Sequence, residues 1–304
     1  MRRRLLGLCA ALALAAPVRP EGLPAPPGVF AFRTFGSGQG LSNLSVNALT
    51  QDSHGFLWVG TEDGLFRLDG AQMRRFGTGE GLPDTYIESF GLGAAADGGV
   101  WVVTRKGAVL FRNGRFLPPS ALGAAGWDGK PGIALARGGV ILNDGRNRRA
   151  LLGDDGRPQP LPGLPEVRGM TSAWRSQDGR DLLVLVAGRL YRCLDGAWSS
   201  RDLAPAMKGN QICVLGDRRG RIWVRSERSL VRLAAIDAAI EDLSGRLELS
   251  MSNTGCLVED AQGRVWTNTA GSLAWYDDAG AGLLSEANGL PQGGANVLLV
   301  DREN

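Results

Sequence analysis

A single histidine bounds the chemistry open to this chain. His54 stands in Gln51-Asp52-Ser53-His54-Gly55, where acid, hydroxyl and imidazole are immediate neighbours. A catalytic triad needs those groups to converge with the base between nucleophile and orienting carboxylate, and three successive residues of one turn do not place them so. The 304 residues hold no second histidine to share a metal ion or a proton, so the sequence predicts no metal site, no cofactor and no histidine-based catalysis. Gly36-Ser37-Gly38-Gln39-Gly40 is glycine-rich, but it follows a strand pattern and leads into no helix, which argues against a phosphate cradle. Cys193, Cys213 and Cys256, an odd set at irregular spacing, make neither a disulfide framework nor a CxxC metal site and read as small buried hydrophobes.

Composition narrows the partners. The formal charge of +3 comes from 34 basic against 31 acidic side chains, and Arg2, Arg3 and Arg4 supply the whole excess. Those arginines open a stretch that reads as a secretory signal over residues 1–16. An apolar run from Leu5 to Ala16 follows them, with a small-residue cleavage site at Ala13-Leu14-Ala15 or Leu14-Ala15-Ala16. The run is too short to span a bilayer, which needs roughly 20 apolar residues. A mature chain near neutrality has no electrostatic footprint for nucleic acid or an anionic membrane. Residues 17–28 hold five prolines and read as an extended lead-in.

What must position any functional residue is a repeat. Gly55 to Gly70 reads as two strands around Asp63-Gly64, with Phe56, Trp58, Leu65, Phe66 and Leu68 as β-formers. Trp58 and Trp101 stand 43 residues apart, as do Trp223 and Trp266. The interval between Trp101 and Trp223 holds two degraded copies, at Gly138-Gly139-Val140-Ile141-Leu142 and Gly179-Arg180-Asp181-Leu182-Leu183-Val184. An aspartate precedes the tryptophan by six residues at Asp52, Asp217 and Asp260. A period of 40–45 residues, with four short strands per unit, is the signature of a β-propeller.

The fold class is therefore all-β. Six four-stranded blades are expected at about 44–77, 84–117, 131–161, 168–203, 210–249 and 253–285, within a propeller covering 29–304. The first strand of a seventh blade is expected at Ala295 to Asp301, which makes the whole a truncated seven-bladed ring. Val29 to Phe35 matches the fourth strand of a repeat and would complete the last blade, hiding sheet edges. Alanine-rich Ala234 to Leu243 predicts a short helical insertion. Each repeated tryptophan is expected to pack between neighbouring sheets, and each aspartate to bond backbone N–H groups of the following turn.

The stretch Leu41-Ser42-x-x-Ser45-Val46-Asn47-Ala48-x-x-x-Asp52-x-x-Gly55-x-Leu57-Trp58-Val59-Gly60-Thr61-x-x-Gly64-Leu65-x-Arg67-x-Asp69 resembles the two-component regulator propeller repeat. Later copies are looser, with Arg225-Ser226 and Asn268-Thr269 where the pattern favours Gly-Thr. The resemblance implies a periplasmic or extracellular sensor propeller, preceding a transmembrane helix and a histidine kinase or diguanylate cyclase output. It also implies a homodimer formed through membrane-proximal regions and a place at the periplasmic face of the inner membrane. The chain stops in mid-repeat, so it reads as the N-terminal part of such a receptor, itself without enzymatic activity. The alternatives are a secreted scaffold for protein contacts and a propeller lyase.

Ring geometry says where a ligand would sit. The loops from the fourth strand of one blade to the first strand of the next gather at one mouth of the channel. They carry Asn43, Asn47, Asp84, Tyr86, Asn210, Asn253 and Asn296. Neutral amides and an aromatic ring suit a small ligand such as a sugar, or a peptide. Asn and Asp at such places also serve as plain turn residues.

Overall fold

The computed structural model describes residues 32–144, 148–164, 170–246, 256–292 and 295–302. They build six four-stranded antiparallel sheets, each with its strands paired in chain order, arranged as the blades of a propeller. The blades span 46–76, 87–117, 132–160, 170–202, 211–242 and 257–284, inside the spans assigned by the repeat. First strands of successive blades touch one another, so they form the inner wall. Among the described residues no helix is long and apolar enough to cross a membrane.

Local chemistry explains each blade. In blade one, Leu57–Thr61 and Gly64–Asp69 pair through a tight turn at Glu62-Asp63. The buried Thr61 hydroxyl donates to the Gly64 carbonyl at 3.0 Å and accepts the Asp63 N–H, pinning the turn from inside. Thr104 with Gly107 and Thr269 with Ser272 repeat the device. Gly64 and Gly107 have φ of 134° and 122°, which side-chain-bearing residues rarely adopt.

The core lies between blades. Five apolar clusters each join side chains of two neighbouring sheets, one cluster for every interface from blade one to blade six. The expected packing of the tryptophans follows: Trp58, Trp101 and Trp223 are almost wholly buried, and Trp58 meets Phe111 of blade two at 4.9 Å between ring centroids. Trp266 is half-buried. Blade four has no tryptophan at the repeat position, and Trp174 of its inner strand fills the interface to blade five instead. Blades two and three are joined in addition by a parallel bridge between Ala94 and Arg137.

Three sequence expectations need correction. Residues 295–301 form no strand. They lack a second strand to pair with, and their backbone meets neighbouring side chains instead: the Ala295 carbonyl accepts from Asn268, and Leu298 N–H points to the Cys256 sulfur. Arg302 then bonds Gln51 and Ser53, so the segment runs from blade six to blade one. Residues 32–35 are likewise not a strand, since no third strand lies beside them, and 29–31 fall outside the described residues. Ala234–Leu243 holds turns and the strand Ile240–Asp242 rather than a helix. Its Ile236 and Ala238 carbonyls accept from Arg201, and so short an isolated helix would be marginal in any case. The signal segment 1–16 and the lead-in 17–28 also lie outside the described residues.

Candidate functional site

The repeated aspartates do more than cap a turn. Asp52 Oδ1 accepts the N–H groups of His54 and Phe56, while Oδ2 accepts the Trp58 indole N–H at 2.8 Å. Asp217 with Trp223 and Asp260 with Trp266 repeat the indole bond at the same length. There Arg221 and Arg264 also donate to the second oxygen. In blade two the equivalent position is Ala95, and Asp154 of blade three takes over, bonding Trp101 at 3.2 Å. The Asp–Trp pairs are therefore structural: in blades one, five and six they fix the end of the inner strand against the second strand, and in blade two the bond ties the blade to its neighbour.

One of them carries a pH dependence. Burial raises the Asp260 pKa, but bonds from the Trp266 indole and from Arg264 outweigh it and hold the carboxyl below its usual value. A depressed folded-state pKa contributes stability above the unfolded value of about 3.9, and that contribution is lost as pH falls through the lower folded value. The melting temperature of the wild-type protein is expected to fall below about pH 4. Asp260→Asn should show a shallower fall in the same range; parallel curves would show that Asp260 contributes nothing there.

His54 is exposed in its turn, with its N–H on Asp52 and its ring against Gly98 of the neighbouring blade. Among the described residues no group of three His, Cys, Asp or Glu side chains is placed to hold a metal ion.

The mouth residues fall into two groups. Asn43 accepts the Ser45 N–H at 2.8 Å and Asp84 the Tyr86 N–H at 3.0 Å, both as turn residues. Asn47 reaches across to the Ile87 carbonyl at 2.9 Å, linking blades one and two. Tyr86 is stacked under Arg105, whose guanidinium lies 3.5 Å from the ring centroid, and Lys106 pairs with Asp84. The Tyr86 H-bond on Asp84, more than the neighbouring lysine, holds the Asp84 carboxyl below its usual value. In the second group, Asn210 donates to Glu227 at 3.0 Å, and Asn296 is exposed. Asn253 lies outside the described residues. A separate cleft of about 280 Å³, lined by Gln51, Phe56, Leu57, Leu68 and Asp301, lies beside blade one and includes none of these residues.

Sequence reasoning passed over several residues at the mouth ends of the inner strands. Register shifts interrupt the pairing there in blades one, two, four and five. Bulges of this kind re-aim side chains and gather next to functional sites. The largest spans residues 88–91 of blade two, between the pairs Ile87–Thr104 and Leu92–Val102. Within it Phe90 has φ of 55°, a strained conformation for a bulky residue. Its side chain packs against the cluster between blades five and six, on the other side of the ring. That cluster contains Cys213, whose partner in the ladder is Arg225. Arg225 is fully buried. The signal was present in the sequence, because Arg225 occupies the position of Gly60 in the first repeat.

With this geometry in hand, comparison places the repeat. Residues 40–63 match the family model of the two component regulator propeller. The chain carries a two component regulator propeller repeat. Solved propellers extend the likeness to the whole ring. The extracellular domain of the hybrid two component system BT4673 from B. thetaiotaomicron superposes with a TM-score of 0.63 at 19% identity, covering 87% of this chain and 37% of that one. The corresponding domain of BT3049 from the same organism gives 0.62 at 12%, covering 84% and 36%. This chain thus spans little more than a third of those two structures. Virginiamycin B lyase from Staphylococcus aureus gives 0.59 at 13%, covering 79% and 84%. At these identities the likeness shows a shared propeller fold. No curated protein matches the chain.

Proposed function

We propose that this two-component regulator propeller is the extracytoplasmic ligand-sensing part of a signal-transduction receptor, at the periplasmic face of the inner membrane. The repeat match over residues 40–63 carries the reading, and the likeness to extracellular domains of hybrid two component systems supports it. The ligand is a small molecule of the sugar class, received at the channel mouth by Asn43, Asn47, Asp84, Tyr86, Asn210, Asn253 and Asn296. The receptor pairs as a homodimer through regions nearer the membrane, and the output is a histidine kinase or diguanylate cyclase. The propeller itself has no enzymatic activity. One solved lyase propeller is described as catalytically inactive when a histidine is changed to alanine. Here His54, the single histidine, is a turn residue against Gly98.

The test is a thermal-shift and calorimetric screen of the purified protein against monosaccharides and oligosaccharides. A saturable ligand is expected whose binding weakens by roughly tenfold or more in Asn296→Ala or Tyr86→Ala, since each removes a polar or stacking contact. Turnover of the ligand would replace this reading with a lyase or hydrolase. Binding untouched by every mouth variant would move the site elsewhere.

A further inference from the structure

Arg225 is a buried cation without a counter-ion. It sits on the second strand of blade five, Ile222–Ser226, in the second pair of the ladder counted from the mouth: Gln211 faces Ser226, and Cys213 faces Arg225. One end of the guanidinium is held. Nη1 donates to Thr267 Oγ1 at 2.8 Å and to the Asn268 carbonyl, both on blade six. The other edge is not, for Nε and Nη2 are buried and have no hydrogen-bond partner. No carboxylate among the described residues pairs with it, and burial pushes its pKa down. Two thiols act on it, those of its ladder partner Cys213 and of Cys256, which stand at the same phase of successive repeats. Burial raises Cys213 to about 11 and pushes Cys256 up as well, so both stay neutral and neither balances the charge.

Leaving a guanidinium desolvated and half-bonded is costly, and a buried polar edge of this kind calls for a partner. Nε–H and Nη2–H of one arginine point the same way and match the two oxygens of a carboxylate. A phosphate can dock on the same fork, but with only Nε and Nη2 free its further oxygen and second charge would be left without a donor in this enclosure, and a halide engages the fork at a single point. The rim above supplies neutral and acceptor groups, Asn210 and Glu227, that suit hydroxyls beside the acid.

We propose that Arg225 anchors a carboxylate on the ligand received at this mouth, which makes the ligand an acidic sugar of the uronic acid class. The inference rests on the sensing function above and adds the charge of what is sensed. Thr267 and Asn268 orient the guanidinium from blade six, so the bound acid bridges two blades. Binding then stiffens the interface between blades five and six.

The experiment compares D-glucuronate and acetate with D-glucose, at constant ionic strength set with sodium chloride, on the purified protein. Saturable thermal shifts with D-glucuronate and acetate are expected, and none with chloride. The Arg225 Nε–H resonance, located by its loss in Arg225→Lys, should move with both acids. Arg225→Met should bind D-glucuronate weaker by roughly tenfold or more, while melting no lower than wild type because an unpaired buried charge is gone. If Arg225→Met does not fold, Arg225→Lys gives the same reading, since an ammonium cannot offer the two-pronged edge. Three results overturn the proposal: no response to either acid, equal affinity for D-glucuronate and D-glucose, or acid binding that survives both substitutions. Tight binding of neutral sugars alone would overturn this inference and leave the sensing function standing.

Discussion

Trp58→Ala is expected to destabilise the protein by about 3–5 kcal/mol, as truncation of a buried aromatic does. The side chain is 1% exposed and fills the interface between blades one and two against Phe76 and Phe111. Removing it leaves a cavity lined by those rings and deprives Asp52 Oδ2 of its indole donor. Trp58→Phe separates the two effects. It keeps most of the volume and loses the bond, so about 1–3 kcal/mol is expected for the unsatisfied carboxylate oxygen. In blade five the same exchange, Trp223→Phe, should cost less, because the Arg221 guanidinium still donates to Asp217 Oδ2. Urea denaturation of the three variants checks the order. Equal losses for Trp58→Phe and Trp223→Phe would mean that the indole bond is not what distinguishes the blades.

Gly93→Ala is expected to be as damaging as a much larger substitution, at about 3 kcal/mol or beyond, the upper end for overpacking. Gly93 lies on the inner strand Ile87–Ala94, and a Cβ there would run into the Leu135 carbonyl oxygen of blade three. The obstacle is backbone, so no rotamer change relieves it. The two inner strands would have to part, breaking the bonds from Ala94 N–H to the Ala136 carbonyl and from Gly138 N–H to the Ala94 carbonyl. Hydrogen exchange at Ala94 and Gly138 should rise with the loss of stability. A control is Gly114→Ala, where nothing lies within 4 Å of the added Cβ and the cost is the strain of a φ of 77° alone. Gly93→Ala no worse than that control would show that the blades yield without cost.

The parts of the fold that were legible were those written within one repeat. Trp58, Asp52, Asp63-Gly64 and Thr61 act through turns and pairings a few residues long, so their spacing survives in the chain and marks each blade. The same logic located blades three and four without their tryptophans, because the second strands Val140–Asn143 and Asp181–Val186 keep their apolar runs. The predicted helix at Ala234 to Leu243 failed because alanine content is a local signal and Arg201, from another blade, claims the carbonyls.

Position at the mouth was readable, but use was not. Asn43 and Asp84 spend their side chains on their own turns, while Asn47 spends its amide on the next blade. Nothing in the spacing distinguishes these cases. Arg225 was visible as a departure from the Gly-Thr pattern, yet its meaning depends on Thr267 and Asn268 more than 40 residues away.

The sequence by itself determined that this is an all-β propeller of six full blades with a two-component regulator repeat, because strand alternation, turn residues and the period of the tryptophans are short-range. Only the tertiary structure decided what meets between blades. Asp154 stands in for a missing partner of Trp101, Phe90 packs across the ring, and Arg225 is enclosed between blades with one edge unpaired. Those contacts are set by strand register and by bulges of one to four residues, and a shift of one residue would turn each side chain to the opposite face of its sheet.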